Sequence, residues 1–321
     1  ENQMKRTLLI ITCIMFLLAE GCAYVSIPLT SPVRPLEEIK LEGKGRDRIL
    51  FIDISGAISS EKRRSLVGRD NEPASPVARL KEELEKASAD NRIKAVILKI
   101  NSPGGTVTAC DIMYREILRF KKKKNVFVAA CLMDIAASGG YYIANAADII
   151  IAHPTTVTGS IGVIALKFNI KGLMEKIGVE EESIKSGDKK DIFSYWRGIT
   201  EEERKIMQEI IDSMYGQFLA AIDQGRKNLS LDEIKPLADG RIYTAQQALD
   251  HKLIDGIGYL DDVINMSKKT AGIEKARVIT YHRPSVYKSN IYSQATINIF
   301  GLGENNMLEY LPVQFLYLWN P

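Results

Sequence analysis

The chain has 321 residues, 45% of them hydrophobic and 26% charged, which supports a sizeable core and excludes a disordered polypeptide. Its net charge of +3 is too small to argue for nucleic acid as a partner, and no zinc-finger, P-loop or dinucleotide-binding spacing is present. The four cysteines, Cys13, Cys22, Cys110 and Cys131, form no CxxC pair, so nothing in them points to a metal.

From Met4 the chain reads MKRTLLIITCIMFLLAEGC. Lys5 and Arg6 precede an apolar run over residues 8–19. That run is shorter than the roughly 20 residues of a membrane-spanning helix and fits the core of a secretory signal. Small residues before Cys22 resemble a bacterial lipoprotein signal, which implies Cys22 as a lipidation site. The match is imperfect, because Ala19 stands where leucine is wanted and Glu20 follows it. An uncleaved anchor is the alternative, with a soluble form behind it. Lipoprotein and anchor alike give an N-terminal membrane-targeting segment over residues 1–22. Both place the rest of the chain at a bacterial cell membrane, outside the cytoplasm. Residues 23–47, with Pro28, Pro32 and Pro35, read as a linker.

RILFIDISG at 48–56 is a β-rich run ending on glycine. Residues 75–90 open with serine and proline and space Val77, Leu80 and Leu84 along one helix face. AVILKI at 95–100 reads as a buried strand and residues 107–120 as a helix, followed by Lys121–Lys124, solvated cations suited to the negative end of the helix dipole. NVFVAACL at 125–132, a short helix over 138–146 and DIIIA at 148–152 continue the alternation. Strand and helix in turn argue for an α/β layered domain with parallel strands and flanking helices. Thr200 opens a long helix over 201–227, with Glu203 completing a capping box. Helices near 244–251 and 259–270 and a strand at 277–282 follow. The apolar, aromatic tail MLEYLPVQFLYLWNP has three seats open to it: its own domain, a neighbouring subunit, or the membrane surface.

Open α/β sheets place their sites beyond the C-terminal ends of the strands. Two loops stand there. NSPGG at 101–105 is either an ordinary turn or a loop whose backbone amides approach a ligand. Ser138-Gly139-Gly140 is either a capped helix start or a nucleophile beside an amide. Together they could supply a serine and an oxyanion hole built from the Gly105 and Gly139 N–H groups. A serine needs a base. His153, His251 and His282 come with no triad partners and read as surface or packing residues. IKSGDKKDI at 184–192 offers Lys185, Lys189 and Lys190, each equally readable as a solvated lysine. A lysine base must be desolvated, since its ordinary value near 10.4 keeps it protonated.

NSPGG, AASGGYYIA, TGSIGV, KSGDKKDI and GRIYTAQQALDHKLIDGIGYLDDVI, in that order, resemble the signal peptide peptidase A family of S49 serine peptidases, in its short bacterial form. The resemblance spans residues 48–271, leaving 272–321 as a C-terminal extension that could meet a neighbouring subunit or the membrane. It implies a Clp protease/crotonase-like fold and a Ser-Lys dyad, with Ser138 as nucleophile and Lys190 as base; Lys189 is the nearest competitor. It further implies that Ser160 positions the lysine, that Gly105 and Gly139 form the oxyanion hole, and that Ala136 and Ala137 leave space beside the nucleophile. No metal and no cofactor are called for. A Clp-like triad histidine would fall near Ser160 or Ile161, where there is none. The implied activity is serine endopeptidase cleavage of remnant signal peptides and other small or unfolded polypeptides at the membrane, by a homo-oligomer. One departure stands out: Phe193-Ser194-Tyr195-Trp196 replaces the Ser-Pro type sequence usual after the lysine, which bears on the substrate groove. A crotonase-like acyl-CoA enzyme and a non-catalytic membrane scaffold are the other readings.

Overall fold

A computed structural model describes residues 35–60, 74–283 and 315–318. The signal segment with Cys22, residues 23–34 of the linker and residues 284–314 lie outside the described residues. Among the described residues no helix is long and apolar enough to cross a membrane.

The centre of the molecule is a parallel sheet. β2 (Asp47–Ser55) pairs with β3 (Ile93–Ser102), β3 with β5 (Phe127–Ala137), and β5 with β6 (Ile149–Ala152), all parallel. These strands are nearly continuous apolar runs because both faces are covered. Period-2 alternation divides them. Leu50, Ile52, Val96, Leu98, Val128 and Ala130 face one core, which includes α1 (Pro76–Ala89) and α2 (Val107–Lys124). Ile49, Phe51, Ala95, Ile97, Ala129 and Cys131 face the other, under α8 (Leu260–Thr270).

The expected elements form with their expected signals. Ser75 accepts from the Ala78 N–H ahead of α1. Thr200 and Glu203 make a reciprocal capping box on α5 (Glu201–Gly225). Lys121–Lys124 occupy the last turn of α2, which Asn125 ends in the left-handed conformation. Lys121 also reaches Asp148, an ion pair of 3.0 Å. Cys110 and Cys131 are buried, and burial pushes both thiols up, that of Cys131 to about 12.

Two segments depart from expectation. Residues 37–43, read as linker, form β1 (Glu37–Gly43), antiparallel to β11 (Ala276–His282), which itself runs parallel to β2. Charges at Glu37, Glu38, Lys40 and Glu42 hide an edge strand whose outer side meets water. β5 runs on past Leu132 to Ala137. Its first half pairs with β6 and its last three residues with β7 (Val157–Gly159). That change of partner carries the strand end to the candidate site.

Candidate active site

Ser138 follows β5 and precedes α3 (Gly139–Ala144). Its backbone has φ 51° and ψ −115°, and its side chain makes no capping hydrogen bond. A serine that merely caps a helix keeps an extended backbone and accepts from the first turn. Ser138 does neither. Positive φ in a residue with a Cβ costs about 1–3 kcal/mol, and here the surroundings impose it. The Ser138 N–H donates to Gly159 O at 2.7 Å, and its carbonyl accepts from Tyr142 N at 2.8 Å. A strand-to-helix turn of this kind holds a hydroxyl out of the sheet.

Ser160 stands alongside. Ala137 and Gly159 are register partners on parallel strands, so Ser138 and Ser160 follow at neighbouring strand ends. Ser160 also has positive φ, 50°, and its N–H donates to Arg241 O at 2.7 Å. Ala136 and Ala137 do not leave open space. Both are fully buried in the pairing with β7, where Thr158 donates to Ala136 O at 2.6 Å.

The glycines bring the two loops together. A methyl on Gly139 would strike the Cys110 sulfur and stand 3.0 Å from Gly104 Cα; one on Gly140 would lie 2.7 Å from Ser102 O. β4 (Gly104–Thr106) is bridged on one side by Ile58, which donates to Gly104 O and accepts from Thr106 N. Alternation along the strand therefore turns the Gly105 N–H to the opposite side. Two residues that sequence reasoning passed over hold this loop. Ser102 donates to Gly56 O at 2.6 Å and accepts from Gly104 N at 3.0 Å. Asn101 donates to Asp134 at 3.1 Å and accepts from Ile135 N. Both lie in NSPGG, where only the glycines had suggested a role. Ile58, in an unmarked stretch, gave no signal.

The lysines separate by their partners. Lys185 pairs with Asp191 at 2.6 Å, and Lys189 pairs with Glu202. The Glu202 carboxylate raises Lys189 above its ordinary value. Lys190 makes no side-chain hydrogen bond or ion pair among the described residues, and it is exposed. Its neighbour Asp191 is fixed by Arg197, which also grips Glu203. Arg197 and the Thr200 N–H hold the Glu203 carboxyl at about 2. The turn carrying Lys190 is thus anchored to the start of α5. Lys167, which sequence reasoning did not weigh, is half-buried; burial, with Arg197 nearby, lowers its ammonium.

The histidines pack elsewhere. His153 shares a 2.8 Å hydrogen bond with Thr155 and meets Tyr259 edge-on. His251 follows α7 (Ala245–Asp250) and meets Tyr243 edge-on. His282 ends β11.

The model of peptidase family S49 matches residues 119–274, a span that takes in Ser138, Ser160 and Lys190. A chain from Enterococcus faecium that carries the name signal peptide peptidase SppA is 36% identical over 245 residues, 76% of this chain and 70% of that one. A chain from Synechocystis sp. named as a protease is 37% identical over 233 residues, 73% of this chain and 78% of that one. A mutant of ClpP1 from Listeria monocytogenes superposes with a TM-score of 0.42 at 18% identity. It covers 66% of this chain and 92% of that one, a likeness too loose to carry a fold assignment. The extent of the first two matches settles the family: this chain is a member of peptidase family S49.

Proposed function

We propose that this peptidase works by acyl transfer through Ser138 with Lys190 as its base. The observation that carries the reading is the uncapped Ser138, held at positive φ beside Gly139 and the β4 loop. The Ser138 oxygen attacks a peptide carbonyl, the Gly105 and Gly139 amides hold the developing oxyanion, and neutral Lys190 takes the serine proton. Lys190 then protonates the leaving amine and activates water for deacylation. In this reading Ser160, which follows the strand beside that of Ser138, orients the lysine amine. An acyl-CoA enzyme would use the two amides without needing a strained serine between them.

A lysine base works only when desolvated, and Lys190 is exposed in the single chain. A second copy of the chain supplies the cover in this reading. Leu166, Phe168, Leu173, Ile177, Val179 and Ile184 are all exposed along the segment leading to Lys190, and Ile184 is fully so. Six exposed apolar side chains along one segment suit a contact surface, which favours a homo-oligomer. The substrates are remnant signal peptides and other unfolded polypeptides at a bacterial membrane, bound extended. The N-terminal segment with Cys22 provides the anchoring. A fluorophosphonate probe tests the nucleophile: it labels the wild-type chain and not Ser138→Ala. Equal labelling of both would dismiss Ser138.

A further inference from the structure

β5 reaches Ser138 only after a break in its pairing with β3. Ile100 stands opposite Leu132, but Ser102 stands opposite Ala136, so β3 advances two residues while β5 advances four. Bulged residues lose their ladder partners, and a buried backbone group must find another. Two side chains supply them. Thr156, buried ahead of β7, donates a shared hydrogen bond to Leu132 O at 2.9 Å and Met133 O at 2.7 Å. Asn101, across from the bulge, accepts from the Ile135 N–H at 3.1 Å and donates to an Asp134 carboxylate oxygen at 3.1 Å. These partners fix which way the amide faces, since the N–H needs an acceptor and the carboxylate a donor. An aspartate offers acceptors only, and an apolar side chain of the same shape offers neither.

The same residue opens the loop that carries Gly105. Asn101 is the register partner of Ser55, and its carbonyl accepts from Gly56 N at 2.9 Å. Ser102 follows, clasped between Gly56 O and Gly104 N. β4 is held along both edges, by Ile58 and by β12 (Phe315–Leu318), which also pairs with β8 (Ile164–Ala165). The backbone from Asn101 to Gly105 is therefore fixed at every step. On the other strand, Ala136 and Ala137 are paired with β7, and the Ser138 N–H is bonded to Gly159 O. Beyond the bulge, the Asn101 amide and the Ser102–Ala136 pair join these two rigid segments. One segment ends in Gly105, the other in Ser138 and Gly139. Asn101 is 9% exposed, so water competes little for its hydrogen bonds.

We propose that Asn101 is a positioning residue for the oxyanion hole: its amide, held between Asp134 and the Ile135 N–H, sets the end of β5 against the β4 loop so that the Gly139 and Gly105 amides converge on one oxygen. This rests on Ser138 being the nucleophile. Asn101 touches no reacting atom in this reading. It acts through the backbone on either side of it. Two donors carried by different loops stabilise an oxyanion only while their separation is held, and a misplacement of about 1 Å is enough to cost most of the effect. The bulge is what makes the tie necessary, because it removes ladder bonds just before the nucleophile. Asp134 holds the Asn101 amide in the orientation that presents its oxygen to Ile135.

A double-mutant cycle on the full chain tests this, with kcat for a quenched peptide expressed per serine titrated to completion by fluorophosphonate. Asn101→Asp keeps an acceptor for Ile135 but sets a second carboxylate against Asp134. It should lower kcat about tenfold and leave KM unchanged. Asn101→Asp combined with Asp134→Asn restores an N–H···O bond with donor and acceptor exchanged, and kcat should return to within about threefold of wild type. Asn101→Ala loses both bonds and should cost up to about 100-fold in kcat. A peptide aldehyde, whose adduct with the serine carries the oxyanion, should bind each variant more weakly by the factor that kcat falls. A residue that merely stabilised the fold would lower the denaturation midpoint and the yield of titratable serine while kcat per titrated serine held. That result, or a double variant as slow as Asn101→Asp alone, would overturn the proposal and leave Ser138 standing. Full turnover by Ser138→Ala would remove the nucleophile and the proposal with it.

Discussion

Replacing Ser138 by alanine and by glycine separates a strained nucleophile from a helix cap through stability alone. A capping serine loses about 1 kcal/mol on conversion to alanine and only a few tenths on conversion to glycine. Ser138 makes no capping bond and sits at φ 51°, so alanine keeps the strain and loses no cap bond. Its stability should stay within about 0.5 kcal/mol of wild type. Glycine relieves a strain of about 1–3 kcal/mol and gives back about 0.5–1 kcal/mol through the greater freedom of the unfolded chain. The net expectation is that Ser138→Gly is about 1 kcal/mol more stable than wild type, a rise of roughly 2 °C or a little more in Tm for a domain of this size. Both variants should be inactive. Denaturant titration with a matched thermal melt reads the effect. If both variants melt below wild type, with alanine the lower, the serine is a cap and the strain argument is wrong.

Three further outcomes follow from the same geometry. Gly105→Ala pushes a methyl into the Ile58 backbone, so β4 must shift. Steady-state kinetics should show a kcat loss of about 10²–10³-fold, that of a removed oxyanion donor, with a stability loss of about 1–3 kcal/mol in denaturant. Glu203, held at about 2 against an ordinary 4.5, stabilises the folded chain fully above about pH 4.5. Because its folded value is the lower one, that contribution disappears as pH falls toward 2. Arg197→Ala should therefore flatten the acid limb of the stability curve followed by circular dichroism; an unchanged acid limb would count against the clamp. Lys189→Ala removes a lysine that Glu202 keeps protonated, and it should leave the pH profile of turnover where it was.

Much of the sheet was legible because its strands are buried on both faces. ILFIDI, AVILKI and DIIIA carry their own signal, as do the caps at Ser75 and Thr200. The missed elements failed for physical reasons. β1 is an edge strand dressed in charge. β4, β8 and β12 have three, two and four residues, too few for periodicity, and their pairing is wholly non-local. The site was half legible. Small residues and glycines marked Ser138 and the two loops, but cap and nucleophile differ in a dihedral angle that composition does not encode. The choice among Lys185, Lys189 and Lys190 likewise turns on which carboxylate each one meets. For Lys189 that is Glu202, on a different element.

The proposed mechanism stands or falls with a Ser138–Lys190 dyad. Its direct test is turnover of a quenched apolar signal-peptide fragment by wild type, Ser138→Ala, Lys190→Ala and Lys189→Ala, each shown to be folded. Loss of turnover in the Ser138 and Lys190 variants, with Lys189→Ala active, is the predicted result. Full activity in Ser138→Ala, or in Lys190→Ala with Lys189→Ala dead, would contradict it.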